Sequence, residues 1–177
     1  DEEFYLADAK GEQPLRQLTT GSTGFRMQPV WSPDSRWILF SDKFMRLNLL
    51  GVETGDLSVI DQGLYDDAWE RWGIMDYVWS PDSRWVAFTN QTGNMNEEIW
   101  LHDTKTGTNT RVTDNMYQSW SPSFSRDGQH LFFLSMRTFN PIMCRIDQQL
   151  VFLDVAKPYV ALLQAGGRSP FYKADAE

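Results

Sequence analysis

An all-β chain of repeated four-stranded antiparallel sheets is the fold that this sequence predicts, and three observations predict it. The heptapeptide WSPDSRW occurs twice, from Trp31 and from Trp79, and a looser copy, FSRDGQH, starts at Phe124. The copies stand 48 and then 45 residues apart, in the range where a fixed period marks one supersecondary unit per repeat. A short apolar run rich in β-formers follows each copy. Turn residues interrupt the chain about every eight to twelve residues, and no segment sustains the 3.6-residue apolar period of a helix.

The motif itself reads as a tight turn. Ser32-Pro33-Asp34-Ser35 places proline where its fixed φ suits the second position of a type I turn, with Asp34 next; Pro81 and Asp82 repeat this after Trp79. The third copy has no proline, but Asp127 is kept and Gly128 supplies the last position, again a type I preference. The runs WILFSD at 37–42, WVAFTN at 85–90 and LFFLSM at 131–136 read as strands. They are continuous rather than alternating, so each is expected to be covered on both faces. A second hairpin should follow in RLNLLGVETGDLSVID, in IWLHDTKTGTNTRVTD and in QLVFLDVAKPYVALLQ, which makes four strands per period. The opening FYLADAKGEQPLRQLTT fits only the second hairpin of such a unit, so the sequence reads as starting in mid-repeat.

Four-stranded units at this spacing describe blades of a β-propeller, which stack radially and bury their faces on each other. The expected organisation is a partial propeller of about three and a half antiparallel blades. Residues 1–19 form the second hairpin of a truncated blade, 20–62, 63–114 and 115–166 are blades, the last irregular, and 167–177 are a C-terminal linker. A β-sandwich would also be all-β, but it leaves the repeated motif unexplained.

Composition supports a packed domain: 41% of residues are apolar, and 8 tryptophans supply enough large side chains for a sizeable core. A formal charge of −8 argues against a broad nucleic-acid surface. No run reaches the roughly eighteen apolar residues of a membrane span, and no signal peptide opens the chain, so no membrane partner is expected. The expected compartment is the cytoplasm, with the periplasm as the alternative because an address could lie upstream of a mid-repeat start. Cys144 is the only cysteine, which excludes an internal disulfide and a CxxC metal site. His102 and His130 lie in strand-like runs without a second His or Cys at ligand spacing, so both read as structural and no metal or cofactor is expected. Ser32 and Ser80 open turns, where their hydroxyls cap local backbone, and GxSxG, Gly-rich phosphate loops and HExxH are absent; no catalytic residue is assigned.

One segment departs from the repeat in a way that suggests contact with a partner. Leu64 to Trp72 lengthens the connection into the second motif and is both acidic and aromatic. Tyr65, Asp66, Asp67, Trp69, Glu70 and Trp72 are the candidate peptide- or partner-binding residues, since Tyr and Trp offer large contact area at small entropic cost. The plainer reading, which these residues favour, is that Trp69 and Trp72 pack over a neighbouring blade while the acids face water. A second unusual stretch is Arg137-Thr138-Phe139-Asn140-Pro141, where an apolar strand runs into a proline turn.

The WSPD turns resemble the repeats of TolB-like and peptidase propellers. The closing stretch, FFLSMRTFNP at 132–141, KPYVALLQAG at 157–166 and SPF at 169–171, resembles the last blade of the seven-bladed propeller of tricorn proteases. That resemblance covers roughly Phe25 to Phe171 and implies a large self-compartmentalising serine peptidase whose propellers control peptide passage and whose catalytic domains lie downstream. The expected role is therefore a non-catalytic propeller segment that binds or gates peptides and scaffolds a protease domain. The partners implied are peptides or proteins and the remaining blades and protease domains of the parent chain. The alternative is a TolB-like protein-binding propeller without peptidase activity; a cap on a prolyl-oligopeptidase-like hydrolase is a third, more remote reading. An open four-stranded face of about 330 Å² is worth about 8 kcal/mol at roughly 25 cal/mol/Å². The isolated segment is therefore expected to self-associate.

Overall fold

The computed structural model describes residues 2–64, 73–91, 93–138, 141–143, 150–152 and 154–172, the strands at 141–143 and 150–152 by backbone alone. Among the described residues every regular element is a strand, and no helix is long and apolar enough to cross a membrane. The chain divides into two compact units, Asp1–Met75 and Asp76–Glu177.

In the first unit, β1 (Tyr5–Leu6) pairs antiparallel with β2 (Arg16–Gln17). The next four strands, β3 (Arg26–Trp31), β4 (Trp37–Asp42), β5 (Arg46–Gly51) and β6 (Leu57–Gln62), form one antiparallel meander in the order β3-β4-β5-β6. The continuous apolar run predicted for 37–42 is borne out as β4, in which Ile38, Leu39 and Phe40 are all buried. The two sheets share a core of Leu18, Ile38, Phe40, Leu50 and Val52, with Phe4 and Leu6 against it. Phe4 meets the edge of Phe40 at 4.9 Å between ring centroids, and the Arg26 guanidinium lies 5.5 Å from both rings while its charge is met by Glu3 at 3.1 Å. Full burial of side chains such as Leu50 and Phe40 contributes about 1.5–3 kcal/mol each.

The second unit repeats the plan. Strands β7 (Tyr77–Trp79), β8 (Trp85–Gln91), β9 (Glu97–Asp103) and β10 (Thr108–Arg111) form a four-stranded meander with β7 and β10 at its edges. Beyond it lie β11 (Ser119–Phe124), β12 (His130–Ser135), β13 (Pro141–Met143), β14 (Leu150–Phe152) and β15 (Lys157–Leu162). Ala87 and Ile99 of one sheet pack on Leu131 and Phe133 of the next, with Leu101, Tyr159 and Ala161 around them. This is face-to-face stacking of successive sheets, as blades require.

The last sheet corrects one expectation. The hairpin read into QLVFLDVAKPYVALLQ does not form: β14 pairs with β13, and β15 pairs with β12 through Phe133 opposite Tyr159. The strand β15 takes the position of β5 and β9. After those strands Val52 N–H donates to Arg36 O at 2.9 Å and Thr104 N–H to Arg84 O at 3.0 Å; after β15 Leu163 N–H donates to Gln129 O at 3.0 Å. The connection between second and third strands has grown in this sheet to hold its own two-stranded hairpin. Among the described residues the sheet has three strands, β11-β12-β15.

First strands carry a second repeated device. A bulge interrupts β3 between Met27 and Val30 and β11 between Trp120 and Ser123, with Gln28 at φ 49° and Ser121 at φ 54°. Proline follows in both, at 29 and 122. An edge strand tolerates a residue that cannot donate to the ladder, and a bulge leaves such a residue unpaired. The Ser121 N–H instead donates to the Asp76 carboxylate at 2.5 Å, which links the start of β7 to the bulge of β11.

Candidate functional site

Three turns with the same wiring join first and second strands. In each, the hydroxyl of the opening serine donates to the aspartate two residues on: Ser32 to Asp34 at 2.6 Å, Ser80 to Asp82 at 2.5 Å, Ser125 to Asp127 at 2.5 Å. The same carboxylate accepts the amide of Arg36, Arg84 or Gln129 at 3.0–3.1 Å. The serine oxygen accepts the amide of Trp37, Trp85 or His130 at 2.8–3.0 Å. A backbone bond closes each turn, from the fourth residue to the first, at 2.9–3.0 Å. That fourth residue is left-handed in all three: Ser35 at φ 60°, Ser83 at φ 59° and Gly128 at φ 69°. The serine and aspartate bond to each other and to local backbone, so these groups hold geometry.

The residues read as turn markers occupy these positions. Pro33 and Pro81 lie inside the turns, while Trp31, Trp79 and Phe124 end the preceding strands. Trp79 is buried at 6% exposure and Trp31 is 43% exposed. In the second unit the turns at 80–83 and 125–128 border a cleft of about 400 Å³ lined by Pro81, Asp82, Trp85, Leu101, Asp127 and Leu163, among others. Arg84 follows the turn at 80–83. Its guanidinium sits 4.9 Å from the Trp85 ring and makes two bonds to the buried Asp103 carboxylate, of 2.8 and 3.3 Å. The hydrogen bonds from Arg84 hold the Asp103 carboxyl down at about 2, and Asp103 in turn raises the guanidinium. Hydrogen bonds from the Ser125 hydroxyl and the Gln129 amide hold Asp127 low as well. Burial pushes Asp76 the other way, up, against the opposing bond from Ser121.

Both histidines are engaged by their surroundings. His102 Nδ1 lies 2.7 Å from Asn109 Oδ1, and His130 Nε2 lies 3.1 Å from Arg168 O. Among the described residues no group of three or more His, Cys, Asp or Glu could hold a metal ion.

The candidate residues Tyr65, Asp66, Asp67, Trp69, Glu70 and Trp72 lie outside the described residues, as does Cys144. The two ends of that loop are described, and they meet. Gly63 N–H donates to Met45 O at 2.8 Å, and a Cβ placed on Gly63 would lie 3.6 Å from Gly73 Cα. Gly73, at φ 61°, faces Met45 so closely that a Cβ there would stand 2.4 Å from Met45 Cα. The loop thus leaves and re-enters the fold at one point, on the turn between β4 and β5. The paired glycines at 63 and 73 were the signal for this closure in the sequence; the acidic-aromatic content alone did not carry it.

A family profile described as the tricorn protease second beta propeller domain matches residues 1–177. The chain belongs to this tricorn propeller family. Two protease relatives agree. Tricorn protease homolog 1 of Streptomyces coelicolor is 29% identical over 184 residues, covering 97% of this chain and 16% of that protein. The tricorn protease homolog of Saccharolobus solfataricus is 30% identical over 132 residues, covering 75% and 12%. The chain therefore spans about one-sixth or less of the length of these relatives. Among solved structures, the crystal structure of the tricorn protease superposes with a TM-score of 0.77 at 20% identity, over 89% of this chain and 15% of that one. TolB from Acinetobacter baumannii superposes with a TM-score of 0.52 at 23% identity, over 85% and 37%. These two likenesses show the β-propeller fold.

Proposed function

We propose that this chain is the non-catalytic propeller segment of a tricorn-like serine peptidase, where it contacts or gates peptides and scaffolds a protease domain elsewhere in the parent protein. The observation that carries the reading is that the tricorn propeller profile matches all 177 residues, while the chain covers 12–16% of the protease homologues it matches. The serine and aspartate side chains of the repeated turns bond to each other and to local backbone, and in this reading the repeat serves the scaffold. Variable contact with peptides falls to the long connections at the opposite end of the sheets. The loop at 64–72 is one such connection, and its closed base suits a displayed aromatic segment.

The test replaces Trp69 and Trp72 by alanine in the full-length parent, with thermal stability and peptide hydrolysis measured side by side. Hydrolysis falling several-fold at a melting temperature within a few degrees of wild type is the expected result. Lost stability with unchanged hydrolysis would leave these tryptophans a packing role only.

A further inference from the structure

In the second unit the end of the sheets opposite the Ser-Pro-Asp turns carries an arginine whose guanidinium is held in place by its described neighbours. The Arg137 guanidinium lies 5.6 Å from the ring of Tyr117 and 5.3 Å from the ring of Tyr159, and its Nε donates to Ser135 Oγ at 3.2 Å. Two aromatic faces and one hydroxyl fix the plane of the group. Among the described residues no carboxylate oxygen comes within 4.0 Å of it. Glu97, on β9, is engaged by Gln118 at 3.1 Å, and Lys157, opposite Ser135 in the ladder, adds a second positive charge to this end. A guanidinium is planar and presents paired N–H donors, the geometry that matches a carboxylate.

Three exposed methionines lie on the segments at this end of the sheets, beside the exposed Asp114 that accepts the Met116 amide at 3.0 Å. Met95 is 67% exposed, Met116 70% and Met136 41%. They sit on segments tied to one another: Asn94 Nδ2 and Asn96 Nδ2 both donate to Asn115 O, at 2.6 and 3.0 Å, and Met136 N–H donates to Gln118 O at 3.0 Å. Met95 is held at φ 66°, a left-handed conformation that a non-glycine residue keeps where the turn around it is fixed. Unbranched thioether side chains suit surfaces that accept varied apolar partners.

We infer that this end of the second unit is a peptide-carboxylate site: the Nη atoms of Arg137 bind a carboxylate of an extended peptide, and Met95, Met116 and Met136 receive its apolar side chains. The inference rests on the peptide-contact reading above and names the chemistry of the ligand. The carboxylate is either the peptide's C-terminus or an acidic side chain.

The experiment measures fluorescence anisotropy of the parent protein with three N-terminally labelled hexapeptides: Gly-Ala-Gly-Ala-Leu-Leu as free acid, the same peptide as C-terminal amide, and an amidated version with Glu in place of the fifth residue. The free acid should bind about ten-fold or more tightly than the amide, and Arg137→Met should bring it down to the amide's level. Arg137→Lys, which keeps charge but loses the paired donors, should fall between and controls for loss of folding in Arg137→Met. Recovery of tight binding by the Glu peptide, again lost in Arg137→Met, would support the site with an acidic side chain as the source. Equal binding of all three peptides to wild type and both variants overturns the inference while leaving peptide contact standing. Binding of none of them removes the inference and the reading beneath it together.

Discussion

At the scale of single residues, the repeated turn shows why a short motif can be conserved in geometry while its letters change within one chain. Serine at the first position and aspartate at the third make the same bonds in all three copies, whereas proline, absent from the third, only presets φ. Asp82→Ala removes the acceptor for Ser80 Oγ and for the Arg84 amide and should destabilise by about 1–2 kcal/mol in chemical denaturation. Ser83, at φ 59°, and Gly128, at φ 69°, occupy the left-handed region in which glycine is unstrained. Gly128→Ala should cost about 1 kcal/mol by the same measurement. The Arg84–Asp103 pair gives a pH signature. Asp103 is depressed to about 2 from an ordinary value near 3.8, so the folded state gains from its ionised form above that ordinary value. The contribution is lost as pH falls from about 4 toward about 2. Arg84→Met should flatten the fall in melting temperature over that interval.

At the scale of elements, the meander of the first two whole sheets was legible because each strand lies next in sequence to its partner. WILFSD and WVAFTN needed only the turns around them. The partner of β15 was not legible, because LVF at 150–152 reads as a strand as well as KPYVAL does, and nothing local says that β12 is its neighbour. What decides is the core: Tyr159 and Ala161 complete the contact of Leu131 and Phe133. Leu131→Ala should therefore loosen both last sheets together and cost about 2–5 kcal/mol, as one cooperative loss in hydrogen exchange at Leu134 and Val160. Arg137 stood out in the sequence only as the start of an irregular stretch. Its environment depends on Tyr117 and Tyr159, from two other segments, and no spacing rule brings those three together.

At the scale of the molecule, a chain of blades has faces that only further blades or another copy can cover. An uncovered four-stranded face of about 330 Å² is worth about 8 kcal/mol at roughly 25 cal/mol/Å². That is comparable with the whole stability of a small domain. The isolated 177-residue segment is expected to run larger than its 20.5 kDa mass in light scattering at micromolar concentration. A monodisperse monomer with a cooperative melt would show that these faces are tolerated bare. The segment at 64–72 was legible as an interruption of the repeat, while the anchoring of its two ends needed the contact between Gly63, Gly73 and Met45.

That anchoring fixes both ends of the segment on neighbouring backbone, Gly63 through its bond to Met45 O and Gly73 through its close approach to Met45 Cα. Doubling a closed loop adds only about 0.6 kcal/mol of closure entropy. Grafts between 64 and 72 should therefore be accepted freely so long as both bounding glycines stay, and rejected when Gly73 gains even one methyl group.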